Sequence, residues 1–556
     1  MISDWLTQVR WIGALFLTCA CSAPGGPQVG TQTNWLRVCE ADAECGEGNI
    51  CVCSACTRKV ESDPTVCDDL VGSTALSKEH EGAIALCSGE EPPVQQLCLM
   101  PCESGECPEG SQCVADVCSP VRKPTLVVSI DTERRYQELI GFGATVAYIE
   151  AEIVNHPAKE ELYDAMFVDS GFGVLRLGSI YRATEEPNFA AVQDITEAAE
   201  TRMAQPPVLF LTSGSPPAEL KQNNSTYCEG NPDTCTLTRT ADGEFDYEGF
   251  ANHFRRTIEA YAAAGISIDF LSIQNDPNYV PPAGKGIETC HFLPVEGTET
   301  VTIDGVEVEV EYPGYMEALN AVLSASADLP ARPQFAGPET TGLRSSADYI
   351  QELDESKFDA FAHHLYGMDP FNPDLEALAD LAQFGADSER PLFQTEMADG
   401  GIETALLAQE ALVDLGAAMY LQTGFVAPAN LTTPDENALI ALTDTGFNIQ
   451  DPYQALRHFA YHTGAGWTRV DADLDIESVR VSAWISPDDQ QLTVILVNPL
   501  DSEEVVELDL DEPLVSTTTT RTVFDGVERY ADLGQFSSDD TFVLPKRAVM
   551  TLNFAR

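Results

Sequence analysis

Two acidic residues occupy positions typical of catalytic carboxylates, because each closes an apolar segment that is predicted to be a β-strand. Asp276 follows the segment 270–274, and Glu396 follows the segment 391–395. Two carboxyl groups about 5 to 5.5 Å apart can cleave a glycosidic bond with retention, one protonating the leaving oxygen while the other attacks the anomeric carbon. The chemistry open to this pair is therefore glycoside hydrolysis, provided that the fold brings the two groups face to face.

Short β-rich segments alternate with amphipathic helical segments in the region that carries both residues. The predicted strands are 140–145, 173–177, 208–212, 270–274, 334–337, 358–363, 391–395 and 418–421, and the helical patterns between them include 248–264, 373–384 and 401–415. Eight strand–helix units predict an α/β fold, a (β/α)8 TIM barrel. No Gly-x-Gly-x-x-Gly motif opens a helix, which disfavours a doubly wound sheet. The fourth and seventh strands of a closed barrel lie across its mouth from each other, so both carboxylates are expected there.

The helical patterns stop near residue 465. Alternating segments at 479–485, 491–497, 505–510 and 549–554 then predict a β-sandwich over residues 465–556, associated with the barrel. Residues 125–130 are predicted to add a strand to this sandwich from the other end of the barrel domain. That domain is predicted to span residues 125–464 and to follow a short linker, Arg122-Lys123-Pro124.

The N-terminal residues resemble an export signal. An apolar run at 11–18 leads into Cys19-Ala20-Cys21, and it is too short to span a bilayer. Residues 1–21 are therefore predicted to be a signal peptide of the lipoprotein type, with Cys21 as the lipidated residue, and residues 22–38 a linker. A buried first helix is the alternative. The predicted location is extracellular or at the outer cell surface, with membrane contact only through that anchor.

Twelve of the 17 cysteines lie between Cys39 and Cys118, which predicts a small disulfide-rich module over residues 39–118. A zinc site is the competing interpretation, although the segment contains one histidine, His80. Farther along the chain, Cys228 and Cys235 bracket a short polar stretch and are expected to close a loop. Cys290 has no obvious partner.

The charge excludes one class of partner. The chain carries 89 acidic and 30 basic side chains, a formal net charge of −59 that is spread along its whole length. Such a surface repels nucleic-acid phosphates and anionic lipid headgroups. Nucleic-acid binding is therefore not expected.

Eight short motifs occur in a fixed order from the first predicted strand onward. They are Gly141-Phe142-Gly143-Ala144, Leu175-Arg176-Leu177, Ser215-Pro216-Pro217-Ala218, Gln274-Asn275-Asp276-Pro277, Gly337-Pro338-Glu339, His364-x-Tyr366-Gly367, Gln394-Thr395-Glu396 and Tyr453-x-Ala455-Leu456. Each motif alone has low specificity, but in this order they make residues 125–556 resemble glycoside hydrolase family 30. That family includes glucosylceramidases, xylanases and β-1,6-glucanases. The resemblance implies a barrel with a β-sandwich beside it.

The resemblance also implies roles for particular residues. Glu396 would be the nucleophile, and Asp276 would occupy the acid/base position. The implied substrate-binding residues are Asn275, Tyr366, His364, Arg176 and Gln394. Among them, Asn275 would contact the sugar 2-hydroxyl and Tyr366 would hold Glu396 ionised. Neither a metal nor a cofactor is implied.

Some motif residues have a structural alternative. His363 and His364 are adjacent, so on a strand they point to opposite faces and cannot both line one metal site. Lys221 and Glu339 are expected either to contact substrate or to form an ion-paired layer beneath the pocket.

The sequence departs from the family at the site itself. The family has Glu at the acid/base position, and Asp276 is shorter by one methylene, about 1.5 Å. A misplacement of that size can cost about a hundredfold in rate unless the strand end compensates. The family's Trp residues flanking Ser-Pro-Pro are replaced by Ser213-Gly214 and Glu219, and no Trp lies within residues 125–464. The aromatic rings expected near strand ends in their place are Tyr148, Tyr181, Tyr279, Phe292 and Tyr366.

Two functions agree with these features. The first is a secreted or surface-anchored retaining β-glycosidase that acts on a polysaccharide or glycoconjugate. The alternative is a catalytically impaired relative that binds glycans at the cell surface as a lipoprotein. A nucleophile held by a tyrosine favours the enzyme, because glycan binding alone does not need one.

Overall fold

The computed structural model describes residues 125–556 except 180–186, 304, 430–436 and 475–478, together with parts of the segment 39–120. The predicted signal peptide, the linker 22–38, the lipidation site Cys21 and the candidate ring Tyr181 lie outside the described residues. Contacts divide the chain into two compact units, one that holds Thr125–Arg556 and one that ends at Pro124. No helix within the described residues is long and apolar enough to cross a membrane.

The cysteine-rich unit is a set of small antiparallel hairpins. Its strands are β1 Ile50–Val52, β2 Ala55–Thr57, β3 Thr74–Ser77, β4 Gln96–Leu99, β5 Ser111–Val114 and β6 Val117–Pro120, paired β1 with β2, β3 with β4 and β5 with β6. Its described disulfides are Cys39–Cys51, Cys45–Cys56, Cys67–Cys98 and Cys107–Cys118. Zinc is ligated by thiolates rather than by disulfide sulfur, so these pairs make a cross-linked module, as the cysteine density predicts. The cross-links supplement a core too small to hold such a unit together by apolar burial alone.

The second unit contains a closed barrel of eight parallel strands. They are β8 Gly141–Thr145, β9 Val174–Gly178, β10 Val208–Thr212, β11 Phe270–Leu271, β14 Gln334–Gly342, β15 Ala360–Tyr366, β16 Leu392–Met397 and β17 Ala417–Gln422. Each of them overlaps one of the eight predicted strands. The TIM barrel expected from the sequence is therefore confirmed.

Helices lie between these strands, and the last helix follows the final strand. They are α1 Glu150–Val154, α2 Lys159–Tyr163, α3 Phe189–Arg202, α4 Tyr247–Ala263, α5 Tyr315–Ala325, α6 Leu343–Ile350, α7 Leu375–Ser388, α8 Gly401–Val413 and α9 Asp451–Ala460. Two small sheets project from the connections: the hairpin of β12 Gly297–Ile303 with β13 Val306–Tyr312, and the sheet of β18 Val426–Ala427, β19 Ile440–Leu442 and β20 Phe447–Ile449.

The sequence of α4 explains its boundaries. Asp246 caps the N-terminus by accepting a hydrogen bond from the Gly249 amide at 2.8 Å, and the helix ends before Gly265, which has a positive φ. Phe250, Phe254 and Ile258 recur every four residues and are fully buried. Each such side chain contributes about 1.5–3 kcal/mol of transfer free energy, which fixes this face of the helix against the barrel.

The inside of the barrel is filled by side chains from alternate strand positions, among them Val174, Phe210, Phe270 and Phe393. Gly143 explains why a glycine-containing motif opens the barrel. A Cβ atom at this position would lie 1.8 Å from the main-chain oxygen of Val174, so only glycine allows the two strands to pack this closely. The packed interior confines chemistry to the mouth, where the strands end.

The β-sandwich is built from nine strands in the hydrogen-bonded order β26-β25-β28-β23-β22-β21-β7-β24-β27, which enclose a core of their own. Their bounds are β7 Leu126–Glu138, β21 Thr468–Leu474, β22 Arg480–Ile485, β23 Gln491–Asn498, β24 Glu504–Asp509, β25 Ser516–Val523, β26 Ala531–Asp532, β27 Phe542–Leu544 and β28 Ala548–Ala555. The N-terminal strand β7 pairs with β21 and β24, so the strand predicted from residues 125–130 is confirmed and is longer than expected.

Candidate active site

The predicted site residues come from four different barrel strands. Arg176 lies in β9, Asp276 and Asn275 follow β11, His364 and Tyr366 end β15, and Glu396 is in β16. Glu339, near the end of β14, joins them. Carboxyl ends of parallel strands meet at one face of the barrel, which is why residues far apart in sequence form a single cluster.

Arg176 is the centre of this cluster. Its side chain is almost completely buried, and one terminal nitrogen donates to Glu396 Oε2 at 2.5 Å. The other donates to Glu339 Oε1 at 2.8 Å and to Asn275 Oδ1 at 2.5 Å. Burial lowers the pKa of Arg176, but the two carboxylates more than offset it and raise that pKa above its ordinary value. The guanidinium therefore stays charged and ties four strand ends together.

Glu396 is held through both of its oxygens. Oε1 accepts a hydrogen bond from the Tyr366 hydroxyl at 3.0 Å, while Oε2 accepts from Arg176. Burial, together with the nearby Glu396, raises the pKa of Tyr366 well above its usual range, so the phenol remains a donor. The contact predicted between Tyr366 and Glu396 is thus present. The Glu396 side chain is 16% exposed, which leaves it accessible from the mouth of the barrel.

Asp276 lies at the end of an irregular segment. β11 ends at Leu271 rather than at residue 274 as predicted, and Asp276 itself has φ +48°, so the chain turns out of the strand at this residue. Its Oδ1 accepts hydrogen bonds from Thr341 Oγ1 at 2.8 Å and from His364 Nδ1 at 3.0 Å. The carboxyl position is therefore set by these two contacts and by the turn.

His364 is fully buried between two carboxylates. Nδ1 contacts Asp276, and Nε2 faces Glu339 Oε1 at 3.9 Å. Burial lowers the pKa of His364, but Asp276 and Glu339 outweigh it and raise the pKa to about 9. Burial raises the pKa of Glu339 likewise, but Arg176 and His364 reverse this and bring it down to about 2. At neutral pH a buried imidazolium and a buried carboxylate therefore lie together in this cluster.

Because His364 is charged, the free energy of unfolding should depend on pH between neutral and alkaline values. Its pKa is raised on folding, so its contribution is fully present below the unfolded value of about 6.5 and is lost as the pH rises through about 9. Between these pH values the free energy of unfolding should fall by on the order of 3 kcal/mol because of this residue. We expect urea unfolding of the full chain to show that slope and the His364→Gln variant to lack it.

His363 is the matched control for that measurement. It is also fully buried, and burial lowers its pKa to about 3, so it is neutral throughout this range. A His363→Gln variant is expected to lose stability equally at pH 6.5 and pH 9. An unchanged slope in the His364 variant would contradict the assignment of charge.

Three sequence-predicted residues lie outside the hydrogen-bonded cluster. Gln394 is fully buried and its side-chain oxygen accepts from the Leu421 amide at 3.2 Å, which places it in the barrel wall. Its contact with substrate stays a prediction. Lys221 is buried and donates to main-chain oxygens, including that of Thr226 at 3.2 Å, so it braces a loop. Phe292 is fully buried in the core and cannot present a ring to a sugar.

Other residues at the mouth had no clear signal in the sequence. Thr341 contacts Asp276, and Thr212 donates to Glu339. Glu288, in the long connection after β11, accepts a hydrogen bond from Tyr148 at 3.0 Å.

The disulfide between Cys228 and Cys235 closes the loop predicted for it, and Cys290 is free and buried.

Solved structures share this architecture. The catalytic domain of a GH30 xylanase C from Talaromyces cellulolyticus superposes with a TM-score of 0.59 at 15% identity, covering 77% of this chain and 100% of that one. A GH30 subfamily 8 xylanase from Clostridium acetobutylicum gives 0.55 at 16% identity, covering 77% and 99%. An endo-β1,6-glucanase gives 0.55 at 13% identity, covering 79% and 96%.

These likenesses establish the fold that the chain shares with GH30 glycoside hydrolases, a TIM barrel with an associated β-sandwich. No protein-family model matches the sequence, and no curated protein matches it either.

Proposed function

We propose that this chain is a retaining β-glycosidase in which Glu396 is the nucleophile and Asp276 is the general acid and base. The observation that carries the proposal is the single network that joins the two carboxyl groups, through Arg176 on one side and His364 on the other. Fixing two carboxyls at the mouth of a barrel is what double displacement at a sugar requires. The fold, shared with xylanases and a β1,6-glucanase, supports the same chemistry.

The first step forms a covalent intermediate. Glu396 attacks the anomeric carbon with one carboxylate oxygen as the bond to the leaving oxygen breaks, and Asp276 gives that oxygen its proton. Because Thr341 and His364 both bond Oδ1, Oδ2 is the oxygen of Asp276 that faces the substrate. Of the three carboxyls in the cluster, Glu339 is the one that Arg176 and His364 hold ionised, and in our proposal Glu396 attacks the sugar while Asp276 delivers the proton.

The second step reverses these roles. Asp276, now ionised, removes a proton from water, the water oxygen attacks the anomeric carbon, and the bond to Glu396 breaks. Two displacements restore the original configuration. Asn275 accepts from Arg176 through Oδ1, so its amide nitrogen remains the donor for a sugar hydroxyl, the 2-hydroxyl in our proposal. That contact strengthens in the transition state.

The proposed setting is extracellular or at the outer cell surface. Residues 1–21 would direct export, and Cys21 would carry a lipid. The cysteine-rich module would then act as a spacer or adhesive between the anchor and the enzyme, which would act on a polysaccharide or glycoconjugate. Neither a cofactor nor a metal takes part in the proposed reaction.

Following the anomer tests this proposal. The full chain is incubated with 4-nitrophenyl β-glycosides of several sugars, and the anomeric proton of the first product is observed by NMR. We expect the β-anomer to form first and mutarotate later. An α-anomer as first product would contradict double displacement. Glycan binding without turnover of any sugar would instead favour the impaired, glycan-binding alternative.

A further inference from the structure

A tyrosine and a glutamate form a hydrogen-bonded pair beside the catalytic carboxyls. Tyr148 follows β8, and its hydroxyl donates to Glu288 Oε2 at 3.0 Å. The other oxygen of Glu288 accepts from Thr226 Oγ1 at 2.8 Å. The carboxylate is thus oriented by two donors on separate loops. Tyr148 is 37% exposed, so part of its ring is accessible to a ligand.

Contacts place this pair at the catalytic mouth. The Asn275 amide donates to the Ser213 oxygen at 2.7 Å, and the next residue, Gly214, has no side chain. A Cβ atom built on Gly214 would lie 3.3 Å from the Tyr148 hydroxyl oxygen and 3.5 Å from Glu288 Cβ. The pair therefore occupies the space beside the segment 213–214, which hydrogen-bonds Asn275 and where the resemblance expects a tryptophan.

The backbone conformation of Tyr148 is also unusual, because its φ is positive. Nine of the described non-glycine residues have a positive φ, and three of them lie at this mouth: Tyr148 at +71°, Asp276 at +48° and Glu339 at +58°. Left-handed backbone at a bulky residue is unfavourable and is concentrated at ligand-binding and catalytic sites. In addition, burial and Glu288 raise the pKa of Tyr148 well above its usual range, so its hydroxyl remains a donor to Glu288.

We propose that Tyr148 and Glu288 determine specificity at this site by binding the ring face and hydroxyls of an uncharged sugar and by excluding uronic acids. This inference rests on the proposed function, whose site it extends. A sugar face packs on an aromatic ring, and hydroxyls donate to an oriented carboxylate. A sugar carboxylate would meet Glu288 with like charge, and the cations of the cluster, Arg176 and His364, are already paired with carboxylates.

Binding measured without turnover tests this inference. Full-length Glu396→Gln protein is titrated calorimetrically with the methyl β-glycosides of glucose and galactose and with their uronic acid counterparts. We expect at least one neutral glycoside to bind and its uronide to bind about tenfold more weakly or not at all. Adding Glu288→Gln should weaken binding of the neutral glycoside about tenfold, because a charged acceptor is lost. It should also reduce the difference in affinity between the neutral glycoside and its uronide.

Two tyrosine variants control for folding. Tyr148→Phe keeps the ring and removes the donor to Glu288, so neutral binding should weaken about threefold. Tyr136 has a similar exposure, 36%, and its hydroxyl contacts Asp471 on the sandwich, so Tyr136→Phe removes an equivalent bond far from the barrel mouth and should change nothing.

The outcomes separate this inference from the proposed hydrolysis. Three results would overturn the specificity role, even if the active chain hydrolyses aryl glycosides. They are unchanged selectivity in Glu288→Gln, preferred binding of uronides by the parent protein, and no binding of any neutral probe. Selective binding that depends on Glu288, in a chain that hydrolyses none of the aryl glycosides, would support the specificity role and contradict the hydrolysis.

Discussion

Replacing Glu396 by Gln is expected to lower kcat for aryl β-glycosides by about 10⁴-fold or more, the scale seen when a covalent nucleophile is removed. An amide oxygen cannot form the glycosyl–enzyme bond. In glutamine an NH2 group replaces one of the two carboxylate oxygens, so either Arg176 or Tyr366 would face a donor instead of an acceptor. The measurement is steady-state release of 4-nitrophenol by the full chain.

A smaller side chain at the same position gives a sharper test. In Glu396→Ala, azide can enter the vacated space and attack the anomeric carbon directly, which yields a glycosyl azide of inverted configuration. Glu403, in the first turn of α8, provides the control, since Glu403→Gln removes a charge seven residues away without touching the cluster. Turnover of Glu396→Gln above about a tenth of the parent rate would rule out the nucleophile assignment.

Replacing Asp276 by Asn is expected to separate substrates by their leaving groups. A nitrophenolate leaves without a proton, so the first step survives, whereas an alkyl or sugar leaving group needs the acid and should react about 10² to 10⁴ times more slowly. Deglycosylation also slows, because water has lost its base. We therefore expect a rapid burst of nitrophenol close to one equivalent, followed by slow turnover, in a stopped-flow experiment.

The alternative outcome for Asp276 is equally clear. Asp369→Asn, an exposed loop residue after β15, is the matched control and should behave as the parent protein does. If Asp276→Asn slowed good and poor leaving groups by the same factor and gave no burst, Asp276 would be a structural partner of His364 and Thr341 rather than the acid.

The backbone around Asp276 affects how far its short side chain reaches. A methylene fewer than in the family withdraws the carboxyl, but β11 ends early and the chain turns at Asp276 with a left-handed φ. The turn in the backbone therefore sets the position of this carboxyl together with the length of its side chain. The apolar pattern of residues 270–274 does not show the shortened strand, whereas Asp276-Pro277 is a dipeptide that favours a turn.

The sequence by itself determined the architecture. Apolar alternation and helical periodicity are local properties, and they located all eight barrel strands, α4 and the principal strands of the sandwich. Motif order placed Asp276 and Glu396 at strand ends, and closure of the barrel made those ends neighbours. Cysteine density likewise predicted a cross-linked module, because a small segment that cannot build a sufficient apolar core is stabilised by disulfides.

Only the tertiary structure decided which polar residues share one site. Glu339 and His364 had structural alternatives in the sequence, and their charges follow from mutual burial with Arg176. Gln394 was predicted to bind substrate, which stays a prediction, and only the structure shows that its side-chain oxygen accepts a hydrogen bond from the neighbouring strand. Tyr148 and Glu288 are 140 residues apart and meet only because the fold brings together the loops that follow β8 and β11. Electrostatic and hydrogen-bond partners depend on distance in space, and local periodicity carries no information about that distance.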